Sequence, residues 1–461
     1  MLTKEYIAEI KANRNGDLKK LVDSKKDDKS IIFILENLGY LPYDFDDSWV
    51  KDLLQSDNKK IRLNAIKTIG KLKNENNIAI LSQIAKNDKS TDVRREAVSS
   101  IGRMRSKKAI PALLEMLTDN DPKIISQAVR GLLIFKGNEE VDNKLKKLIE
   151  HENETIQNVI RKEYLDKESI SKDKLKHPES YDYLKNTVVL GDVRDILKLI
   201  PDESFHLTFT SPPYYNARDY SIYPSYKAYL VFLEEVFKLT YDKTKEGRFL
   251  IVNTSPVIVP RISRQHASKR YPIPFDIHHF LIEMGWEFID DIIWVKPEAS
   301  VKNRNAGFLQ HRKPLAYKPN ARTEYLMVYR KKTDKLIDWN IRQYDWETVK
   351  KSKVKDGYET SNVWEIDPKF DKVHSAVFPV DLCKRVIEYY SFKGDLVFDP
   401  FAGSGTFGRT AKYLERYFFL TEQEPKYFEY MKSFLKKSDA NLFKERETKF
   451  LKLDEFKEKI K

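Results

Sequence analysis

Residues 395–410 read DLVFDPFAGSGTFGRT, an apolar run from Leu396 to Phe398 that meets an acidic residue and then glycines at 403, 405 and 408. Aromatic and β-branched residues, then spaced glycines, then helix formers are the grammar of a strand that turns directly into a helix. Such a turn lets backbone approach a ligand closely, and a helix starting near Thr406 offers main-chain N–H groups with no partner of their own. Glu422 follows the next apolar run, where a carboxylate can accept two ribose hydroxyls.

Alone, this stretch serves a nicotinamide enzyme as well as a methyltransferase, and two observations separate them. Too little chain follows Gly408 to complete a dinucleotide fold, so the other strands must come from upstream. Asp399, just before the glycines, would repel a pyrophosphate and suits the positively charged methionine moiety of S-adenosyl-L-methionine. Upstream, Val188–Leu190, Leu207–Phe209, Phe249–Val252, Ile292–Trp294 and Tyr325–Tyr329 read as strands, joined by Phe418–Leu420 downstream. Strands alternating with helical stretches predict an α/β sheet with helices on both faces.

The second informative stretch is FHLTFTSPPYYNARDY, residues 205–220. An exocyclic base amine is a poor nucleophile because its lone pair is delocalised into the ring, so a catalyst must draw the nitrogen toward tetrahedral geometry. Two acceptors for the amine hydrogens would do so, the Ser211 side chain and the Pro212 carbonyl. Proline fixes its own φ and restricts its predecessor, so Pro212 and Pro213 hold these acceptors in place beforehand. Tyr214 can stack on the base, which has to be flipped out of a duplex to be reached.

TSPPY followed much later by DPFAGSGT resembles the β-class S-adenosylmethionine-dependent DNA amino-methyltransferases of restriction-modification systems, over roughly residues 185–435. Further matching points are Gly191-Asp192, Ile293 to Pro297, Thr323-Glu324-Tyr325, Val363-Trp364-Glu365 and Phe378-Pro379. The resemblance implies a Rossmann-like methyltransferase domain with circularly permuted motif order. It implies that Asp192 contacts the cofactor adenine and that Phe378 and Pro379 lie beside the bound cofactor. Asp399, Phe401, Gly403, Gly405 and Thr406 would cradle its methionine portion, and Glu422 its ribose. The run Thr421-Glu422-Gln423-Glu424 departs from the family pattern and makes Glu424 a rival for the ribose. Serine at position 211 accompanies cytosine-N4 methylation in this family; adenine-N6 methylation is the alternative. Methylation at cytosine carbon 5 needs a cysteine nucleophile, and the one cysteine, Cys383, sits at an apolar helical spacing with Leu382, Val386 and Ile387.

The first half is written differently. Ala65-Ile66, Ala97-Val98 and Ala128-Val129 occupy equivalent places in successive units, each after an Asn/Asp turn and each followed by a second apolar helix. Paired amphipathic helices at this period resemble HEAT repeats stacked as an all-α solenoid. Residues 1–164 are thus expected to be a helical repeat domain, 165–180 a charged linker and 181–461 the catalytic domain, with target-recognition insertions near 261–271 and 298–373. The basic residues Lys59, Lys60, Arg62, Arg94, Arg95, Lys123 and Arg130 form either a DNA-backbone groove or solvated helix faces.

Among 461 residues, 83 are basic and 70 acidic, a net +13 that favours a polyanionic partner. Double-stranded DNA is the expected one, with Arg264, Arg270, Arg304, Arg312, Lys313 and Lys318 as candidate contacts; a restriction endonuclease or another protein is the expected partner of the repeats. One cysteine excludes an internal disulfide framework or a Cys-based zinc cluster, and no metal is expected. No signal peptide and no run near ~20 apolar residues is present, so a cytoplasmic, nucleoid-associated prokaryotic location without a membrane is expected. From another class, the chain could be a HEAT-based nucleic-acid-binding protein with an inactive methyltransferase fold.

Overall fold

The computed structural model describes the chain except residues 1, 13–16, 26, 43, 166–176, 217–222, 260, 261, 264, 267, 370–376, 443–446 and 461, and the side chains of 434 and 436–442. It divides into two compact units, Met1–Ser171 and Lys172–Lys461.

In the first unit, helices Lys59–Leu72, Thr91–Arg103 and Pro122–Leu132 carry the repeated alanines, all fully buried. Second helices start at Ile78, Ile110 and Glu139. Asn58 and Asp121 cap two of the first helices by accepting from Lys60 N and Lys123 N, which satisfies donors that a helix start leaves free. Small residues sit where consecutive first helices meet. A Cβ at Gly102 would lie 3.1 Å from Gly131 Cα, and one at Gly70 would lie 2.5 Å from Ser100 Oγ.

The recurrent basic residues are engaged inside this unit. Arg62 Nε donates to Asp88 at 2.7 Å, Arg94 Nη1 to Asp119 at 2.6 Å and Arg95 Nη2 to Asp121 at 2.6 Å, while Lys59 pairs with Asp92. Each Arg–Asp pair ties the first turn of a first helix to the turn that leads into the next unit. Arg62, Arg94 and Arg95 are thus partnered by carboxylates of the same unit, which weakens their case as DNA-backbone contacts.

The second unit is built on a nine-stranded sheet. In chain order its strands are β1 (Thr187–Leu190), β2 (Phe205–Thr210), β3 (Thr244–Thr254), β6 (Trp286–Val295), β7 (Thr323–Lys331), β8 (Val363–Glu365), β9 (Leu396–Asp399), β10 (Tyr417–Glu422) and β11 (Lys449–Lys452), with β4 (Val257–Val259) and β5 (Lys269–Tyr271) forming a separate hairpin. The spatial order is β11-β1-β10-β9-β2-β3-β7-β6-β8. β7 runs antiparallel to both its neighbours, and every other pairing is parallel.

Parallel strands covered on both faces are continuously apolar, and β9 shows why. Val397 packs with Leu382, Cys383, Val386 and Ile387 of helix Val380–Tyr390 on one side. Leu396 and Phe398 pack with Ile196, Val236 and Phe456 on the other. Cys383 is thus a core residue. No described helix is long and apolar enough to cross a membrane.

Arg62→Ala should destabilise the repeat unit by about 3 kcal/mol, because it strands the buried Asp88 charge. Urea unfolding followed by circular dichroism would measure this, and Lys60→Ala, which removes an exposed pair, should change little.

Candidate active site

β2 and β9 are hydrogen-bonded parallel neighbours, with Leu207 opposite Val397 and Thr208 opposite Phe398. Their C-terminal ends therefore emerge side by side. Thr210 Oγ1 donates to Asp399 Oδ1 at 2.7 Å, and Phe401 N donates to the same oxygen at 3.0 Å. The glycine loop is pinned further along, where Gly403 N donates to Glu422 Oε2 at 2.8 Å. Gly403 and Gly405 have φ of 55° and 73°, which their lack of a Cβ permits. Gly408 serves packing instead, since a Cβ there would lie 2.7 Å from Leu420 Cδ1 of β10.

A cavity of about 450 Å³ opens at these strand ends. Ser211, Pro212, Pro213 and Tyr214 line it from the end of β2. Phe401, Gly403, Thr406 and Glu422 line it from the glycine loop and β10, and Phe378 joins them. Two stretches almost two hundred residues apart in sequence thus share one space.

Four residues expected to touch a cofactor do not line the cavity. Asp192 caps helix Val193–Leu197 by accepting from Arg194 N at 2.8 Å and pairs with the Arg194 guanidinium; its neighbours Gly191 and Val193 do face the cavity. Pro379 precedes helix Val380–Tyr390. Gly405 faces Met431. Asp399 is 1% exposed and spent on Thr210 and Phe401, so it anchors the loop from behind.

Burial pushes the Asp399 carboxyl up to about 7 against the pull of its two hydrogen bonds. Burial likewise pushes Glu422 up to about 7, opposed by the Glu424 and Gly403 amides and assisted by nearby Asp399. Glu422 accepts one amide on each oxygen, from Gly403 and from Glu424 at 2.8 Å, which leaves lone pairs free toward the cavity. Glu424 lines the cavity as well.

Lys296 and Glu324 also line the cavity, although their sequence runs matched without any role being assigned. They form an ion pair, and Tyr214 Oη donates to the other Glu324 oxygen at 3.0 Å. The signal available was a lysine just after one strand and a glutamate near the start of another. Only the antiparallel β6–β7 register, with Trp294 opposite Glu324, brings them together.

Of the candidate DNA contacts, Arg270 on β5 is exposed, as are Arg312, Lys313 and Lys318. Arg304 is half-buried, and burial, then the Arg270 charge, depress its pKa. The 298–322 segment leaves from the cavity rim, where Ser300 and Val301 line it, and returns where Arg322 Nε donates to Lys296 O at 3.0 Å. Arg264 lies outside the described residues.

Residues 205–433 match the family described as DNA methylase, and residues 78–162 match HEAT repeats. Type II beta methyltransferase M.BslI of Bacillus sp. (strain NEB-606) is 28% identical over 48% of this chain and 24% of its own length. Type II methyltransferase M.Cfr9I of Citrobacter freundii is 28% identical over 60% of this chain and 96% of its own. The chain therefore spans about a quarter of the first relative and nearly all of the second. A solved Thermus thermophilus protein complexed with S-adenosyl-L-methionine is 25% identical, covering 58% of this chain and 99% of that one with a TM-score of 0.46.

The two buried acids carry a pH dependence with a definite sign. Their folded pKa values exceed the ordinary ones, so the native state holds more protons between about pH 4 and 7. Their contribution to stability is fully present below pH 4 and is lost as pH rises through 7. Unfolding midpoints of the cofactor-free protein should therefore fall less between pH 5 and pH 8 in Glu422→Gln than in the wild type; an identical fall in both would contradict the assignment.

Proposed function

Residues 205–433 belong to the DNA methylase family, and from that premise we propose that this chain methylates the exocyclic N4 of a flipped cytosine in duplex DNA at specific sites. The cofactor is S-adenosyl-L-methionine. The observation that carries this reading is the single cavity shared by the Ser211–Tyr214 turn and the Gly403–Thr406 loop.

The cavity fits such a cofactor. Its volume suits a nucleoside-sized ligand, Glu422 has lone pairs for a ribose diol, and Phe378 and Phe401 offer aromatic faces. Two buried carboxyls poised near neutrality favour a cation beside them. When bound, the cofactor supplies an electrophilic methyl group on a sulfonium.

The protein's own contribution is positioning. The Ser211 hydroxyl and the Pro212 carbonyl accept the amine hydrogens and pull the nitrogen toward tetrahedral geometry, and the two prolines keep those acceptors from reorganising. Tyr214, anchored through its hydroxyl, offers its ring face to the extruded base. The exposed Arg270, Arg312, Lys313 and Lys318 and the half-buried Arg304 are the proposed contacts with the duplex, and the segment that carries four of them starts beside Ser300 and Val301 at the cavity. Adenine-N6 methylation by the same geometry is the second reading, and the serine at 211 favours cytosine. For the repeats, a protein such as a restriction endonuclease is the proposed partner, since internal ion pairs take up Arg62, Arg94 and Arg95.

Ser211→Ala should cut methyl transfer by about 100-fold while cofactor binding by calorimetry stays unchanged. Mass spectrometry of nucleosides from treated DNA should reveal N4-methyldeoxycytidine; N6-methyldeoxyadenosine would transfer the proposal to the second reading. Deleting residues 1–164 should leave the salt slope of DNA binding unchanged, and a flatter slope would restore a DNA role for the repeats.

A further inference from the structure

Methyl transfer to an amine leaves the nitrogen with one proton too many, and the acceptors at Ser211 and Pro212 do not provide for its removal. A peptide carbonyl is a very weak base, and a serine hydroxyl can only pass a proton on. Behind Ser211 lies a group that can receive one. Ser211 and Tyr214 line the same cavity, and Tyr214 Oη donates to Glu324 Oε2 at 3.0 Å. Glu324 Oε1 pairs with Lys296, whose ammonium sits 4.5 Å from the Trp294 ring centroid. The cavity that holds Ser211 thus also holds a phenol that donates to a carboxylate.

Three features favour a chemical role over a merely structural one. Glu324 and Lys296 are only 15% and 19% exposed, and an ion pair so withdrawn from water is a weak source of stability. Both residues line the cavity that holds Ser211. Burial and the Glu324 charge hold the Tyr214 phenol in its protonated form, so it relays rather than ionises.

Resting on the function proposed above, we infer that Glu324 is the terminal acceptor of the amine proton, reached through Ser211 and Tyr214, with Lys296 as its positioning residue. The amine lone pair forms the N–CH3 bond while the S–CH3 electron pair stays on sulfur. The amine proton passes to Ser211 Oγ, the serine proton to Tyr214 Oη and the phenol proton to Glu324. A neutral methylamine, a neutral thioether and a protonated carboxyl beside Lys296 remain. A protonated aryl amine is a far stronger acid than a carboxylic acid, so even an ion-paired carboxylate is basic enough.

The test uses the full chain, duplex DNA and S-adenosyl-L-methionine, with single-turnover rates measured against pH. Glu324→Gln should lower the rate by about 100-fold, abolish the acid limb of the pH profile and leave KM for DNA and cofactor affinity unchanged. Glu324→Asp should recover part of the rate and restore the limb. Adding Glu324→Gln to Tyr214→Phe should cost nothing further. In cofactor-free protein, the thermal shifts of those two substitutions should be non-additive, which reports the contact independently of turnover. A wild-type rate in Glu324→Gln, or a slowed rate with the acid limb kept, overturns the relay alone. Absence of any methylation by the wild-type protein overturns the function reading and the relay with it.

Discussion

The hydrogen bond from Thr210 to Asp399 joins the ends of two strands that are 189 residues apart in sequence and adjacent in the sheet. Parallel pairing of β2 with β9 brings the rigid turn and the glycine loop out at the same edge, and this bond sets their spacing. The remaining site geometry follows from it. Phe401 N shares the Asp399 oxygen, Gly403 reaches Glu422, and Glu422 ties the loop to the neighbouring β10. A ligand crevice at the carboxyl ends of parallel strands is where open α/β sheets place one, because loops there are free of the sheet's own hydrogen bonding.

The two units use charge in opposite ways. In the repeats, arginines and aspartates neutralise one another across successive turns, so the charge ties neighbouring units together. At the cavity Glu422, and behind it Asp399, have no cationic partner among the described residues, and burial raises both pKa values. That arrangement costs stability near neutral pH.

Much of this architecture was legible beforehand because it rests on local signals. Seven apolar runs read as strands all occur as such, and the alanines at 65, 97 and 128 are buried helix positions. β8, β11 and the β4–β5 hairpin were not foreseen, being three or four residues long and flanked by polar chain, so pairing with neighbours rather than periodicity makes them strands. Ser211, Tyr214, Gly403 and Glu422, singled out by residue chemistry, line one cavity. The charge of Asp399 is visible in the sequence and its burial is not, so the sequence points to direct ligand contact where the structure has a buried anchor. Lys296 and Glu324 acquire a partner only through the antiparallel register of β6 and β7, a tertiary fact with no trace in either run.

The proposed reaction requires one pocket to hold both the methyl donor and the amine that receives it. A crystal structure with S-adenosylhomocysteine and a duplex carrying the methylation site tests this most directly. An extruded base should lie in the cavity, its amine bonded to Ser211 Oγ and Pro212 O and facing the cofactor sulfur. A cofactor at the glycine loop with the base held elsewhere, or with Ser211 turned away from it, would contradict the account.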